Sequence, residues 1–209
     1  MSALRTLGLV LMVVGGLLLA APAFWSVYTG RGAEAAQTAA LAEWERALTD
    51  GQTVAEERTT QVDRRAAAGT LRPAEGLVLT IPRLGLRRFV PEGARPEHLR
   101  RFGLGRISWT ARPGQAGVVG IAGHRTTHGA PFFRLPALRP GDEVLLEDGR
   151  QRYLYRVTEQ RTVRPTAVEV LRGEAGRRRL ALVTCTPAYS AAYRLVVLAD
   201  LQRVQVAAP

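Results

Sequence analysis

The 209-residue sequence has no lysine, one cysteine and three histidines. A lone Cys185 excludes an intrachain disulfide framework and a multi-thiolate zinc cluster, and His98, His124 and His128 are too few and scattered to suggest another metal centre. No metal and no other cofactor is expected. Internal repeats and low-complexity runs are absent too, and a 46% hydrophobic content with 21 Gly and 12 Pro excludes a disordered or collagen-like chain. The length suits one medium domain with appendages rather than two full domains.

All 29 basic side chains are arginine, and the formal net charge is +11. Residues 1–73 carry seven Arg against seven acids, whereas residues 74–209 carry twenty-two against eleven. The excess therefore lies in the C-terminal part, where it could face nucleic acid, anionic lipid or a polyanionic wall. GC-rich coding accounts for an all-Arg chain equally well. No zinc finger or aromatic-spaced basic motif supports nucleic acid, which is not expected as a partner.

Between Leu7 and Val27 there are 21 consecutive uncharged residues. At about 1.5 Å per residue a helix of this length reaches roughly 30 Å, the thickness of a bilayer core. Phe24, Trp25 and Tyr28 follow as boundary aromatics, so an N-terminal transmembrane anchor over residues 1–30 is expected. Ala21-Pro22-Ala23 keeps a cleaved signal peptide open, but the apolar run exceeds a usual signal core. Arg5 against Arg31 with Glu34 weakly favours a cytoplasmic N-terminus, leaving the rest of the chain outside the cell membrane.

Residues 31–73 read as a helical spacer. Leu41, Trp44 and Leu48 share one helical face, Asp50-Gly51 forms a stop, and Thr53 to Glu56 has capping-box spacing for a second helix to Ala68. A solvated stalk is the expectation, with packing of its apolar face on the domain as the alternative. From residue 74 the pattern changes to short β-prone runs: 76–81, 86–90, 118–122, 144–146, 153–157, 180–184 and 195–199. Asp148-Gly149 predicts a two-residue hairpin, Pro96 a first helical turn, and 131–138 a Pro-rich loop or 3₁₀ segment. The reading is an all-β domain over 74–209 with short helices.

Cys185 stands where the run 180–184 meets Thr186-Pro187, and His124 stands where the run 118–122 opens through Gly123 into a loop. Arg194 lies nine residues after Cys185 at the head of another β run, as though a loop leaves the cysteine strand and returns beside it. A thiol is a good nucleophile only as thiolate, which nearby positive charge favours, and a guanidinium suits a carbonyl or oxyanion. Taken singly, each residue fits an ordinary role equally well: a small buried hydrophobe, a satisfied turn, a solvated cation.

In their order and spacing, Ala122-Gly123-His124-Arg125, Leu182-Val183-Thr184-Cys185-Thr186-Pro187 and Tyr193-Arg194-Leu195-Val196-Val197 resemble the signature of sortases, membrane-anchored cysteine transpeptidases of bacterial surfaces. The resemblance covers roughly Gly76 to Leu201 and includes Ile81-Pro82-Arg83-Leu84, Arg112-Pro113-Gly114-Gln115 and Pro140-Gly141-Asp142. The stretch His124 to Phe132 and Tyr189-Ser190-Ala191 are most similar to class E, with class D next. Two departures stand out: class E typically has His where this chain has Thr186, and many relatives have His near Arg106.

The resemblance implies a closed eight-stranded β-barrel preceded by a transmembrane helix and spacer. It implies that Cys185 attacks the Thr carbonyl of a Leu-Pro-x-Thr-Gly-like or Leu-Ala-x-Thr-Gly-like sorting signal, giving a thioester that passes to an amine of peptidoglycan or a pilin. His124 would act as general acid and then base, Arg194 would hold the carbonyl or oxyanion, and Thr184, Ala122 and Gly123 would line the substrate. Two rivals remain: a thiol peptidase that releases the thioester to water, and a non-catalytic membrane-tethered module that binds the wall. His128 is read as a loop residue, His98 as surface or packing, and Arg177-Arg178-Arg179 as a solvated turn.

Overall fold

A computed structural model describes residues 2–54, 76–173 and 176–206. Helix α1 (Ser2–Val54) is followed by strands β1 (Leu77–Ile81) and β2 (Leu86–Val90), helix α2 (Pro96–Phe102), and strands β3 (Leu104–Arg106), β4 (Gly117–Gly123), β5 (Glu143–Glu147), β6 (Gln151–Val163), β7 (Arg178–Thr186) and β8 (Tyr193–Val206). Single 3₁₀ turns occupy Pro82–Leu84, Leu135–Ala137 and Val168–Leu171.

The strands form one sheet in the order β2-β1-β5-β6-β8-β7-β4-β3. Its two edges meet through a parallel bridge between Glu92 and Arg106, beside a hydrogen bond from Arg106 N–H to the Pro91 carbonyl at 2.9 Å. The expected eight-stranded barrel is thus present and nearly closed. At the seam the Arg106 guanidinium, 4% exposed, grips the Glu92 carboxylate at 2.6 and 2.7 Å and donates to the carbonyls of Thr110 and Ala111 at 2.9 and 3.1 Å. A charge this deeply buried is tolerable only when its donors are matched by acceptors.

Alternation along β4 and β7 fixes two apolar layers. Val119, Ile121, Leu180 and Leu182 point into the barrel with Leu79, Ile81, Tyr155 and Val197. Val118, Ala181, Val196 and Leu198 lie on the outer face, with Val183 against them and Val170 and Leu171 of the last 3₁₀ turn packed over them. This is the period of two that a strand imposes when both faces are covered.

Seven strands fall on the expected runs, and the eighth, β3, is three residues long and was not anticipated. Strands β6 and β8 extend well past their apolar centres because they pair with each other from Gln151↔Val206 to Val163↔Arg194, so that backbone bonds carry polar side chains along. The β5–β6 hairpin turns on two residues as expected, but one position later: Glu147 pairs with Arg152, the Asp148 N–H donates to the Gln151 carbonyl at 3.2 Å, and Gly149-Arg150 lie between. There the Asp148 carboxylate accepts the backbone N–H groups of Arg150 and Gln151 at 2.9 and 2.8 Å, closing an Asx-type turn.

The apolar stretch 7–27 is helical within α1, and among the described residues no helix is long and apolar enough to cross a membrane. The expected stop at Asp50-Gly51 is not used, since α1 continues to Val54; one helical glycine costs only about 1 kcal/mol. The second helix expected as far as Ala68 lies, beyond Val54, outside the described residues. The stalk expectation is corrected. Trp44 is 4% exposed and packs with Ala36, Ala40, Leu41 and Leu48 on Val78, Phe89 and Phe102. Within that contact Gln37 donates to the Phe89 and Phe102 carbonyls at 2.9 and 2.7 Å and accepts the Phe89 N–H at 2.8 Å.

Candidate active site

The registers of three neighbouring strands bring Cys185, Arg194 and His124 to one end and one face of the barrel. Cys185 and Arg194 are direct cross-strand partners in the antiparallel pairing of β7 with β8, so both side chains leave the same face. In the parallel pairing of β4 with β7 the ladder ends at Ala122↔Val183. One step further the Thr184 hydroxyl donates to the Gly123 carbonyl at 2.8 Å, which carries the same register on toward His124 and Cys185. By alternation His124 follows Ala122, and Cys185 follows Val183 and Ala181, on the outer face.

The backbone around His124 is tied on two sides. Its N–H donates to the Gly103 carbonyl at 2.8 Å, continuing the β3–β4 pairing, and its carbonyl accepts the Phe132 N–H at 3.1 Å. Phe132 is fully buried and its ring lies across Gly123, where a Cβ would sit only 2.6 Å from Cδ2. The glycine of Gly123-His124 is therefore required by the close approach of that ring.

His128 stacks on His124 with ring centroids 4.7 Å apart and an interplanar angle of 25°. Burial first, and then the neighbouring His128, pushes the His124 imidazole down from 6.5 to about 4, so the ring is neutral at pH 7. Burial and Arg100 lower His128 as well. His124 Nε2, Arg125 Nε and His128 Nδ1 are buried without a hydrogen-bond partner among the described residues. Buried polar atoms ordinarily find partners, and three of the four unpartnered ones among the described residues fall in this five-residue stretch, the other being the Tyr155 hydroxyl.

Backbone strain gathers at the same end. His128, Ala130 and Tyr189 hold φ values of 52°, 43° and 63°, the left-handed region that non-glycine residues avoid, in the loops that follow His124 and Cys185. Helix α1 reaches the first of these loops: Ser26 Oγ donates to the Thr126 carbonyl at 3.0 Å, and the His128 N–H donates to Thr29 Oγ1 at 3.4 Å.

The remaining expected residues divide by face. Ala122 is half-buried on the outer face, in the strand that flanks Cys185. Thr184 is 2% exposed on the inner face, and its hydroxyl is committed to Gly123. Arg194 lies beside Cys185 in register, while its Nη1 donates to the carbonyls of Ala191 and Tyr193 at 3.0 and 3.1 Å. Sequence reasoning did not assign Arg125 or His128 to the site. Arg125 Nη1 donates to the Cys185 carbonyl at 3.3 Å and to Thr186 Oγ1 at 2.8 Å. The available signal was the i, i+4 spacing of the two histidines and the position of Arg125 directly after His124.

A half-buried free thiol, a neutral imidazole and a guanidinium on one outer face of a nearly closed eight-stranded barrel define a cysteine-based site of the sortase architecture. The sortase domain family model matches residues 79–202, and the chain belongs to the sortase family. Within that family its likeness is to class E. It is 32% identical over 148 residues to the sortase SrtE1 of Streptomyces coelicolor, covering 64% of this chain, and it spans 42% of that relative's length. The solved sortase E of Streptomyces avermitilis is 40% identical with a TM-score of 0.58, over 64% of this chain and 91% of that one. A Clostridium perfringens sortase D5 transpeptidase shares the fold, with a TM-score of 0.64 and 22% identity over 81% of this chain and 99% of that one.

Proposed function

We propose that this protein is a cysteine transpeptidase acting on a Leu-Pro-x-Thr-Gly-like or Leu-Ala-x-Thr-Gly-like sorting signal. The observation that supports this most is the strand register, which brings His124, Cys185 and Arg194 to one end and one outer face of the barrel. The Cys185 sulfur attacks the Thr carbonyl carbon as its proton passes to the neutral His124 ring. Arg194 holds the oxygen on which negative charge develops. Its Nε and Nη2 make no hydrogen bond among the described residues, so two donors are open to substrate. The intermediate collapses by breaking the Thr–Gly C–N bond, His124 returns the proton to the departing amine, and a thioester remains. An incoming amine of peptidoglycan or a pilin then loses a proton to His124 as it attacks, and the sulfur leaves with that proton.

The single-pass membrane anchor is proposed from the sequence, on the uncharged stretch 7–27 with its apolar side chains and boundary aromatics, and the placement of the barrel outside the cell membrane on Arg5 against Arg31 and Glu34. The described part of α1 does not by itself reach the apolarity of a span. In this reading residues 1–30 form the cytoplasmic tip and anchor, 31–73 the spacer, and 74–209 the catalytic domain. Incubating the full chain with each peptide, with and without triglycine or diaminopimelate, tests the activity. A peptide–amine adduct lost in Cys185→Ala is the expected product. Cleavage without adduct marks a thiol peptidase, and no Cys185-dependent product with either peptide or amine overturns the proposal in favour of a binding module.

A further inference from the structure

The cation hydrogen-bonded to the nucleophile's own residue is not Arg194. In this structure Arg194 Nη1 donates to the carbonyls of Ala191 and Tyr193, whereas Arg125 Nη1 donates to the Cys185 carbonyl at 3.3 Å and to the Thr186 hydroxyl at 2.8 Å. The position of this contact gives it weight. Backbone pairing of β4 with β7 ends at Ala122↔Val183, two residues short of the thiol. Beyond that point the two strand ends are joined by the bond from Thr184 to the Gly123 carbonyl and by Arg125. One tie lies just before Cys185, and the other grips its carbonyl and the next side chain.

We infer that Arg125 is a positioning residue for the nucleophile: by clamping the Cys185 carbonyl and the Thr186 hydroxyl to the loop that carries His124, it holds the thiol at a fixed place beside the imidazole. The inference rests on the proposed cysteine chemistry at this site. Arg suits the task because its planar fork stays charged and meets two acceptors from one nitrogen end, which an ammonium on a flexible stem does less well. It also keeps a permanent positive charge at the peptide group of Cys185. Thr186, the residue that departs from the class E pattern, is the side chain this clamp uses.

The test uses the full chain and a readout that needs no peptide. Alkylation of Cys185 is followed with neutral iodoacetamide and anionic iodoacetate, alongside melting temperature and peptide turnover. Arg125→Ala is expected to slow alkylation by both reagents, to lower the iodoacetate-to-iodoacetamide rate ratio, and to reduce kcat about tenfold, the order expected when one charge-assisted bond is lost. KM should stay within about twofold, because the residue holds the nucleophile rather than the substrate. Arg125→Lys should restore the reagent ratio and part of kcat, and Thr186→Val should lose about threefold in kcat with the ratio kept. Wild-type alkylation rates and ratio in Arg125→Ala overturn the inference, as does a rise in KM at unchanged kcat. If Arg125→Ala does not fold, Arg125→Lys and Thr186→Val decide, and unchanged kcat and alkylation in both overturn it. A wild-type protein that alkylates but turns over no peptide counts against the transpeptidase reading alone, because the alkylation comparison does not use that reaction.

Discussion

His124 owes its neutrality to where it sits. Burial and the stacked His128 hold it near 4, against an ordinary 6.5. Between those two pH values the unfolded chain binds a proton that the folded site refuses, so stability rises with pH across the window and is lost as pH falls through it. Urea unfolding at pH 7 and pH 5 checks this: His124→Gln should show a smaller loss between the two than the parent. The acid limb of kcat/KM reports the same group. His128→Asn removes both the neighbouring positive charge and part of the covering ring, and should move that limb to higher pH; an unmoved limb contradicts the coupling. At Gly123 the Phe132 ring leaves no room for a methyl group. Gly123→Ala should therefore cost about 1–3 kcal/mol by overpacking, and should lower kcat further by displacing the His124 backbone bond to Phe132. A thermal melt and a turnover assay on the same sample separate the two effects.

At the scale of elements, helix α1 belongs in part to the barrel. Trp44 and Gln37 are buried against β2 and α2, and Glu34 and Glu45 pair with Arg88 and Arg87 at 2.7 Å. Trp44→Ala should destabilise by about 3–5 kcal/mol, whereas breaking either exposed ion pair should cost under about 1 kcal/mol. A chain begun at residue 74 should melt below the full chain and lose turnover, because it lacks Ser26 and Thr29, which bond the loop around His128. The sequence showed the apolar face of this helix through Leu41, Trp44 and Leu48, but spacing alone cannot say what a face packs on. The partners, Val78, Phe89 and Phe102, lie at least thirty positions further along the chain. The same limit hid the lengths of β6 and β8, whose polar ends are held by mutual pairing rather than by alternation. By contrast, the ends of β4 and β7 were legible, because a β-prone run closing on Gly123-His124 or on Cys185 needs no distant partner to be recognised.

For the whole molecule, the barrel closes where three-residue β3 meets β2, and one buried arginine supplies most of the side-chain bonding there. Arg106→Met should leave the partly exposed Glu92 carboxylate unpaired along with the Thr110 and Ala111 carbonyls. A loss of about 3 kcal/mol in urea unfolding is expected, toward the low end for a broken buried pair because water reaches Glu92. Neither the seam nor its arginine could be read in advance, since a strand of three residues leaves no periodic trace. Cys185, His124 and Arg194 could be read, because each sits at the end of a run whose own pattern is clear. Arg125 and His128 were visible as letters of a motif, but their roles depend on a carbonyl and a ring that only the fold brings near. The proposed function depends on acyl transfer through Cys185, and the covalent intermediate is its direct trace. Intact-mass and peptide-mapping spectrometry of the full chain, quenched in acid during turnover of a Leu-Ala-x-Thr-Gly or Leu-Pro-x-Thr-Gly peptide, should find the signal's N-terminal fragment on Cys185, discharged by triglycine and absent from Cys185→Ala. Turnover with no adduct on Cys185, or with an adduct on another residue, would contradict it.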